Sequence, residues 1–148
     1  MSISYNYYRK KLLRNLIFMS ACFLLCCCKT NRIVDGERQG LWIEKQRLGE
    51  LQLKSKGRYT NGFQHKTWRY YENGKLIKRE KYKDSICAIT LFENRYKIRE
   101  GKAKLRISDT LLHWFYFGEW KSFDASGAIT EIDYYEDGKL ISTNEVLQ

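Results

Sequence analysis

Trp42, Trp68 and Trp120 recur at separations of 26 and 52 residues, the second twice the first. A regular return of the largest apolar side chain, each time near a glycine-bearing turn, marks a stacked repeat in which neighbouring units cover one another. The clearest unit runs GRYTNGFQHKTWRYYENGKLIKREKYKDS from Gly57 to Ser85. In it Asn61-Gly62 precedes Trp68 by six residues, and Asn73-Gly74, Leu76 and Tyr82 follow. The opening unit places Asp35-Gly36 six residues before Trp42, with Gly40 between them. The last unit, EWKSFDASGAITEIDYYEDGKL, carries Trp120, Phe123, Gly127, Ile129 and Tyr135 and closes on Asp137-Gly138. Its Ile129 to Tyr135 interval is six residues, as is Leu76 to Tyr82.

The turns have a backbone reason. A type I′ hairpin turn needs positive φ at both central residues, and Asn-Gly and Asp-Gly adopt it at least cost. Asn73-Gly74 sits between WRYYE and KLIKREKY, both rich in side chains that suit a pleated surface. Alternation along a strand then puts Trp68 and Tyr70 on one face, and Leu76 and Tyr82 on one face of the return strand. The expected fold is all-β, a single elongated, twisted antiparallel sheet of stacked hairpins. Its aromatic stripe is Trp42, Trp68, Tyr70, Tyr71, Tyr82, Trp120, Tyr134 and Tyr135, mainly core, with any exposed part a contact surface.

These residues resemble the bacterial variant of the MORN repeat, a β-hairpin repeat with the pattern W-x-x-Y-x-x-N-G-x-L followed by Y-x-x-G. Trp68, Tyr71, Asn73, Gly74, Leu76 and Tyr82 fit in place, with Ser85 at the closing glycine. The resemblance covers Asp35 to Ser85 and Glu119 to Ser142. It implies stacked hairpins, and it carries the label of a toxin–antitoxin system antitoxin. The stretch between, 86–118, departs from the pattern: Asn94 stands where a tryptophan would fall. It still reads as strands, CAITLF, YKI, AKLRI and LLHWFYF, and is either a degenerate repeat or an inserted hairpin pair.

The amino terminus gives an address. Arg9, Lys10, Lys11 and Arg14 precede an apolar run from Leu16 to Leu25, the shape of a secretory signal. Extended even to Cys28 the run falls short of the ~20 apolar residues that span a bilayer. FLLCCCKTN resembles a bacterial lipoprotein signal, which implies acylation at Cys28, with Leu25 at minus three, or alternatively at Cys27. The chain then divides into a signal at 1–27, a short tether at 28–34 and a repeat domain at 35–148. Past Cys28 no aspartate holds the second place, which by resemblance to sorting rules favours an outer membrane, with its facing open. Several acyl chains hold a protein to a bilayer where one is marginal.

Composition fits one exported domain. The net charge is +10, and the four cations of the signal account for part of it, leaving +6 on the mature chain. Of five cysteines only Cys87 lies beyond the signal and lipidation region, so no intramolecular disulfide is implied. Cys87 has apolar neighbours and reads as a small buried hydrophobe. His65 and His113 are isolated, without ligand spacing to cysteine or carboxylate, so no metal or cofactor is expected. Glu131 and Asp133 share a strand face and read as strand charges, and triad and phosphate-loop signatures are missing. Arg95, Lys97 and Arg99, then Lys102, Lys104 and Arg106, alternate with apolar residues and present cationic faces that suit an anionic surface. The expected function is binding or scaffolding by a lipid-anchored, non-enzymatic protein of the cell envelope, with an unidentified protein partner and no nucleic acid; the alternative is an antitoxin-like or immunity protein that neutralises a toxin.

Overall fold

The computed structural model describes residues 29–107 and 112–147. The signal segment 1–27 and both lipidation candidates, Cys27 and Cys28, lie outside the described residues. From Asn31 onward the chain forms one unit. Among the described residues it contains ten strands: β1 (Arg32–Val34), β2 (Glu37–Leu48), β3 (Leu51–Thr60), β4 (Phe63–Glu72), β5 (Lys75–Lys83), β6 (Ile86–Glu93), β7 (Tyr96–Ile107), β8 (Leu112–Phe123), β9 (Ile129–Glu136) and β10 (Lys139–Glu145). They pair in chain order, each antiparallel to the next, as one open meander. The all-β sheet of consecutive hairpins expected from the turns is the fold that forms.

The dipeptide turns work as their chemistry requires. Both residues have positive φ at Asp35-Gly36, Asn61-Gly62, Asn73-Gly74 and Asp137-Gly138. β1 falls inside the segment read as a tether. Asn31 just before it holds the edge of β2 with its side-chain amide, accepting from the Ile43 N–H at 2.8 Å and donating to the Ile43 carbonyl at 2.9 Å.

A single-layer sheet has no second layer to bury its side chains, so the core is made by laying large rings over small residues of the preceding strand. Trp68 lies flat on Gly57, where an added Cβ would be 2.1 Å from the indole. Trp120 lies on Gly101 in the same way, at 2.2 Å. Each indole N–H donates to the carbonyl one residue beyond its glycine, Trp68 to Arg58 at 3.0 Å and Trp120 to Lys102 at 3.2 Å. Two residues before each tryptophan the backbone turns left-handed, at Gly40, Lys66 and Gly118, which tips the ring across the strand. Trp68 and Trp120 are 0 % and 1 % exposed as a result. Between these units Tyr82 and Trp114 approach to 5.4 Å, and Cys87 and Ala103, paired directly across β6 and β7, are buried beside them.

Following the register gives one continuous row: Trp42, Gly57, Trp68, Glu80, Ile89, Gly101, Trp120, Asp133 and Thr143. Ile89 therefore occupies the tryptophan position of the third even-numbered strand, and Asn94 falls in the turn after it. The segment 86–118 continues the hairpin meander as an unequal unit. The 52-residue interval is not two equal periods but a short step to Ile89 and a long one to Trp120, which add to the same length.

Candidate binding faces

The tryptophan face carries two buried carboxylates, each directly opposite a buried indole. Glu80 opposes Trp68 and Asp133 opposes Trp120. An isolated charge at such a site is costly, so each is paired and hydrogen-bonded. Tyr70 donates to Glu80 at 2.5 Å, the Tyr82 hydroxyl is 2.7 Å away, and Lys78 makes an ion pair at 2.9 Å. Gln64 links the two tyrosines, with its carbonyl 2.5 Å from Tyr82 and its amide donating to Tyr70 at 3.2 Å. Burial first, and then the hydrogen bond to Glu80, push both phenols above their ordinary range. Asp133 receives Arg99 in a short ion pair and the Thr143 hydroxyl at 2.5 Å.

Several expected site residues are redistributed by bulges. Tyr70, Tyr82 and Tyr135 share the tryptophan face. Tyr71 and Tyr134 do not: Tyr71 pairs with Lys54 and Leu76, and Tyr134 donates to Glu119 at 2.6 Å on the other side. The extra residue Ile77 shifts the phase of β5, so Leu76 and Tyr82 point to opposite faces. Arg99 is likewise corrected. The bulge at Ile98 separates it from Lys97, and it turns against Asp133 and over the Trp120 ring, 5.5 Å from its centroid, so it lies on the opposite face from Lys102, Lys104 and Arg106. Arg95 lies in a turn with φ of 75°. Lys97 pairs with Glu100 at 3.2 Å and covers Phe123. Lys102, Lys104 and Arg106 do share a face, with Arg106 held by Asp137 at 2.7 Å.

That face is cationic well beyond β7. Lys56, Arg69 and Arg79 stand directly opposite one another across β3, β4 and β5, and Lys45 opposes Lys54 across β2 and β3. The Arg79 Nε is buried without a partner. Sequence alternation along β7 pointed to a cationic face but missed these rungs, because they form across strands far apart in the chain.

The remaining candidates stand apart from one another. The Cys87 thiol, 2 % exposed, is pushed up to about 12 by burial and then by Glu80, so it stays protonated and a poor nucleophile. His65 is on β4 and His113 stacks on Phe115 in β8, and the two are not brought together. Glu131 accepts from Ser122 at 3.4 Å. Among the described residues no group of three His, Cys, Asp or Glu side chains is placed to hold a metal.

Part of the exposed apolar surface lies at one end of the tryptophan face. A cleft of about 420 Å³ there is lined by Tyr59, Phe63, Gln64, Tyr82, Asp84, Leu105, Leu112 and Trp114. Phe63 and Leu112 at its rim are 54 % and 47 % exposed. The sequence signal for this cleft is the cluster LLHWFYF together with GFQ, which alternation alone does not bring together.

Known proteins place these features as follows. Residues 64–84 match the family model described as MORN repeat variant. The match spans Trp68, the Asn73-Gly74 turn, Glu80 and Tyr82. No curated protein matches the chain. Among solved structures, a chain of the crystal structure of the GtfA/B complex aligns over 76% of this chain at 10% identity, with a TM-score of 0.24. This chain spans 20% of that one, and a similarity so slight carries no argument. Residues 64–84 are thus similar to one MORN repeat variant, and the strands on either side of them continue the same antiparallel meander.

Proposed function

We propose that this chain is a non-enzymatic binding or scaffold module held at the cell envelope, most simply the outer membrane, by acylation of Cys28, with Cys27 as the alternative. One observation carries the binding role: the one-layer sheet leaves Phe63 and Leu112 exposed beside the half-buried Trp114, Tyr82 and Tyr59 rings. Exposed apolar clusters of this kind mark partner contacts, and a protein partner is the reading they favour. The anchor rests on the sequence alone, with the tripartite signal and the cysteine run supporting it. An antitoxin role rests on the family resemblance without a supporting contact in the sheet.

The anchor is tested by metabolic palmitate labelling. Label lost in Cys28→Ala and retained in Cys27→Ala supports it, and label in neither wild type nor variants overturns it. The contact is tested by crosslinking from Phe63 in intact cells. A discrete adduct that disappears in Leu112→Ser, with the urea midpoint unchanged, supports the cleft as the contact surface. An adduct indifferent to Leu112 removes it.

A further inference from the structure

The opposite face holds a second concavity, distinct from the aromatic cleft and independent of any anchor. It lies at the outer ends of β2, β3 and β4, has a volume of about 690 Å³, and is lined in part by Lys45, Arg47, Gln52, Lys54, Tyr71 and Gly74. Lys45 and Lys54 are directly opposite each other, and Arg47 is opposite Gln52. Tyr71 is opposite Lys54, whose ammonium stands 5.8 Å from the ring centroid. Like charges in direct cross-strand register destabilise a sheet. Here nothing offsets them: among the described residues Lys45, Arg47 and Lys54 are in no ion pair with a carboxylate. The nearest acid along β2, Glu44, points to the tryptophan face and is held by Arg38 and Ser55.

We propose that this concavity binds a ligand bearing phosphate groups on a sugar-sized ring, with Lys45, Arg47 and Lys54 receiving the phosphates and Tyr71 receiving the ring. The volume is that of a small-molecule site. Three cations of differing reach around one opening match several phosphate oxygens, and the guanidinium of Arg47 offers paired donors to one of them. The Tyr71 ring, already beside an ammonium, offers a flat apolar wall with no side chain from Gly74 to close it. The rung of Lys56, Arg69 and Arg79 on the same face adds long-range attraction for an anion. The same chemistry occurs on a free phosphorylated sugar and on a phosphorylated glycolipid headgroup.

The test uses the full chain in nonionic detergent, titrated calorimetrically with pyrophosphate and with fructose bisphosphate. Both bind, fructose bisphosphate more tightly, and both weaken as salt shortens the reach of the charges. Lys45→Gln and Lys54→Gln each weaken binding about tenfold, the loss of one charge-assisted contact. Tyr71→Leu abolishes the preference for fructose bisphosphate over pyrophosphate. Lys121→Gln, on the same face but paired with Glu119, removes the same charge and leaves affinity within about twofold, since a screened, distant charge contributes little. Failure of both probes to bind overturns the proposal, as does a Lys121→Gln loss equal to that of Lys45→Gln, which would mean a diffuse charge effect. Reconstitution separates the sources. Vesicles containing a phosphorylated glycolipid that exclude fructose bisphosphate, where vesicles of phosphatidylglycerol do not, identify a headgroup site, and unchanged binding with both identifies a soluble ligand.

Discussion

Gly57→Ala is the substitution that most directly probes how this sheet makes a core. In an ordinary strand the change is mildly stabilising, by about 0.5–1 kcal/mol, because alanine loses less conformational freedom. Here the new Cβ would stand 2.1 Å from the Trp68 ring, against 3.4–4 Å for ordinary contact. The ring cannot shift sideways, since its N–H is bonded to Arg58 and the Tyr59 ring packs edge-on at 4.9 Å. It must lift off the strand. An indole of roughly 200 Å² buried at about 25 cal/mol per Å² gives an upper limit near 5 kcal/mol, and the orphaned carbonyl bond adds about 1 kcal/mol. Since the ring keeps some contacts, we expect a loss of about 3–4 kcal/mol, close to that of Trp68→Ala. Urea unfolding followed by far-UV circular dichroism measures it, and a double-mutant cycle isolates its cause. In a Trp68→Ala background Gly57→Ala should become neutral or stabilising. A cost below about 1 kcal/mol in the wild type, or a cost that persists without the indole, refutes ring-on-glycine packing as the source of the core.

Other consequences are open to measurement. Lys66 holds the left-handed position that glycine fills at Gly40 and Gly118, so Lys66→Gly should raise the urea midpoint slightly, by a few tenths of a kcal/mol after the entropy cost of glycine. Arg99→Met strands the buried Asp133 and should cost about 3 kcal/mol in chemical unfolding, with Arg99→Met/Asp133→Leu recovering most of it. Raised phenol values make Tyr70 and Tyr82 bind their protons more tightly folded than unfolded. Their contribution is fully present below the ordinary tyrosine value of roughly 10 and is lost as pH rises above it. Stability should therefore fall on the alkaline side, and Tyr82→Phe should flatten that slope when midpoints are compared from neutral to strongly alkaline pH.

Much of this architecture is written where backbone chemistry is local. Asn-Gly and Asp-Gly can signal their turns because the required left-handed pair is built into those dipeptides. Tryptophan signals the row because few residues fill a ring-sized bed. What alternation could not carry are the phase shifts. Ile77 and Ile98 are unremarkable isoleucines, yet each is an inserted residue that reverses which side its neighbours face, and so Arg99 left the cationic surface and Leu76 parted from Tyr82. Ile89 took a tryptophan position without a sequence mark, because only the register shows it between Glu80 and Gly101. The cationic rungs and the aromatic cleft were hidden for a related reason, each being assembled from separate hairpins.

Resting each ring on the strand before it makes cohesion a matter between neighbours. A hairpin can be shortened, as before Ile89, or lengthened, as after it, while each remaining tryptophan keeps the glycine bed on its own neighbouring strand. Such a ribbon is free to change length and outer-face chemistry over evolutionary time while its fold persists, and the recognition surfaces it carries can diversify faster than the backbone that displays them.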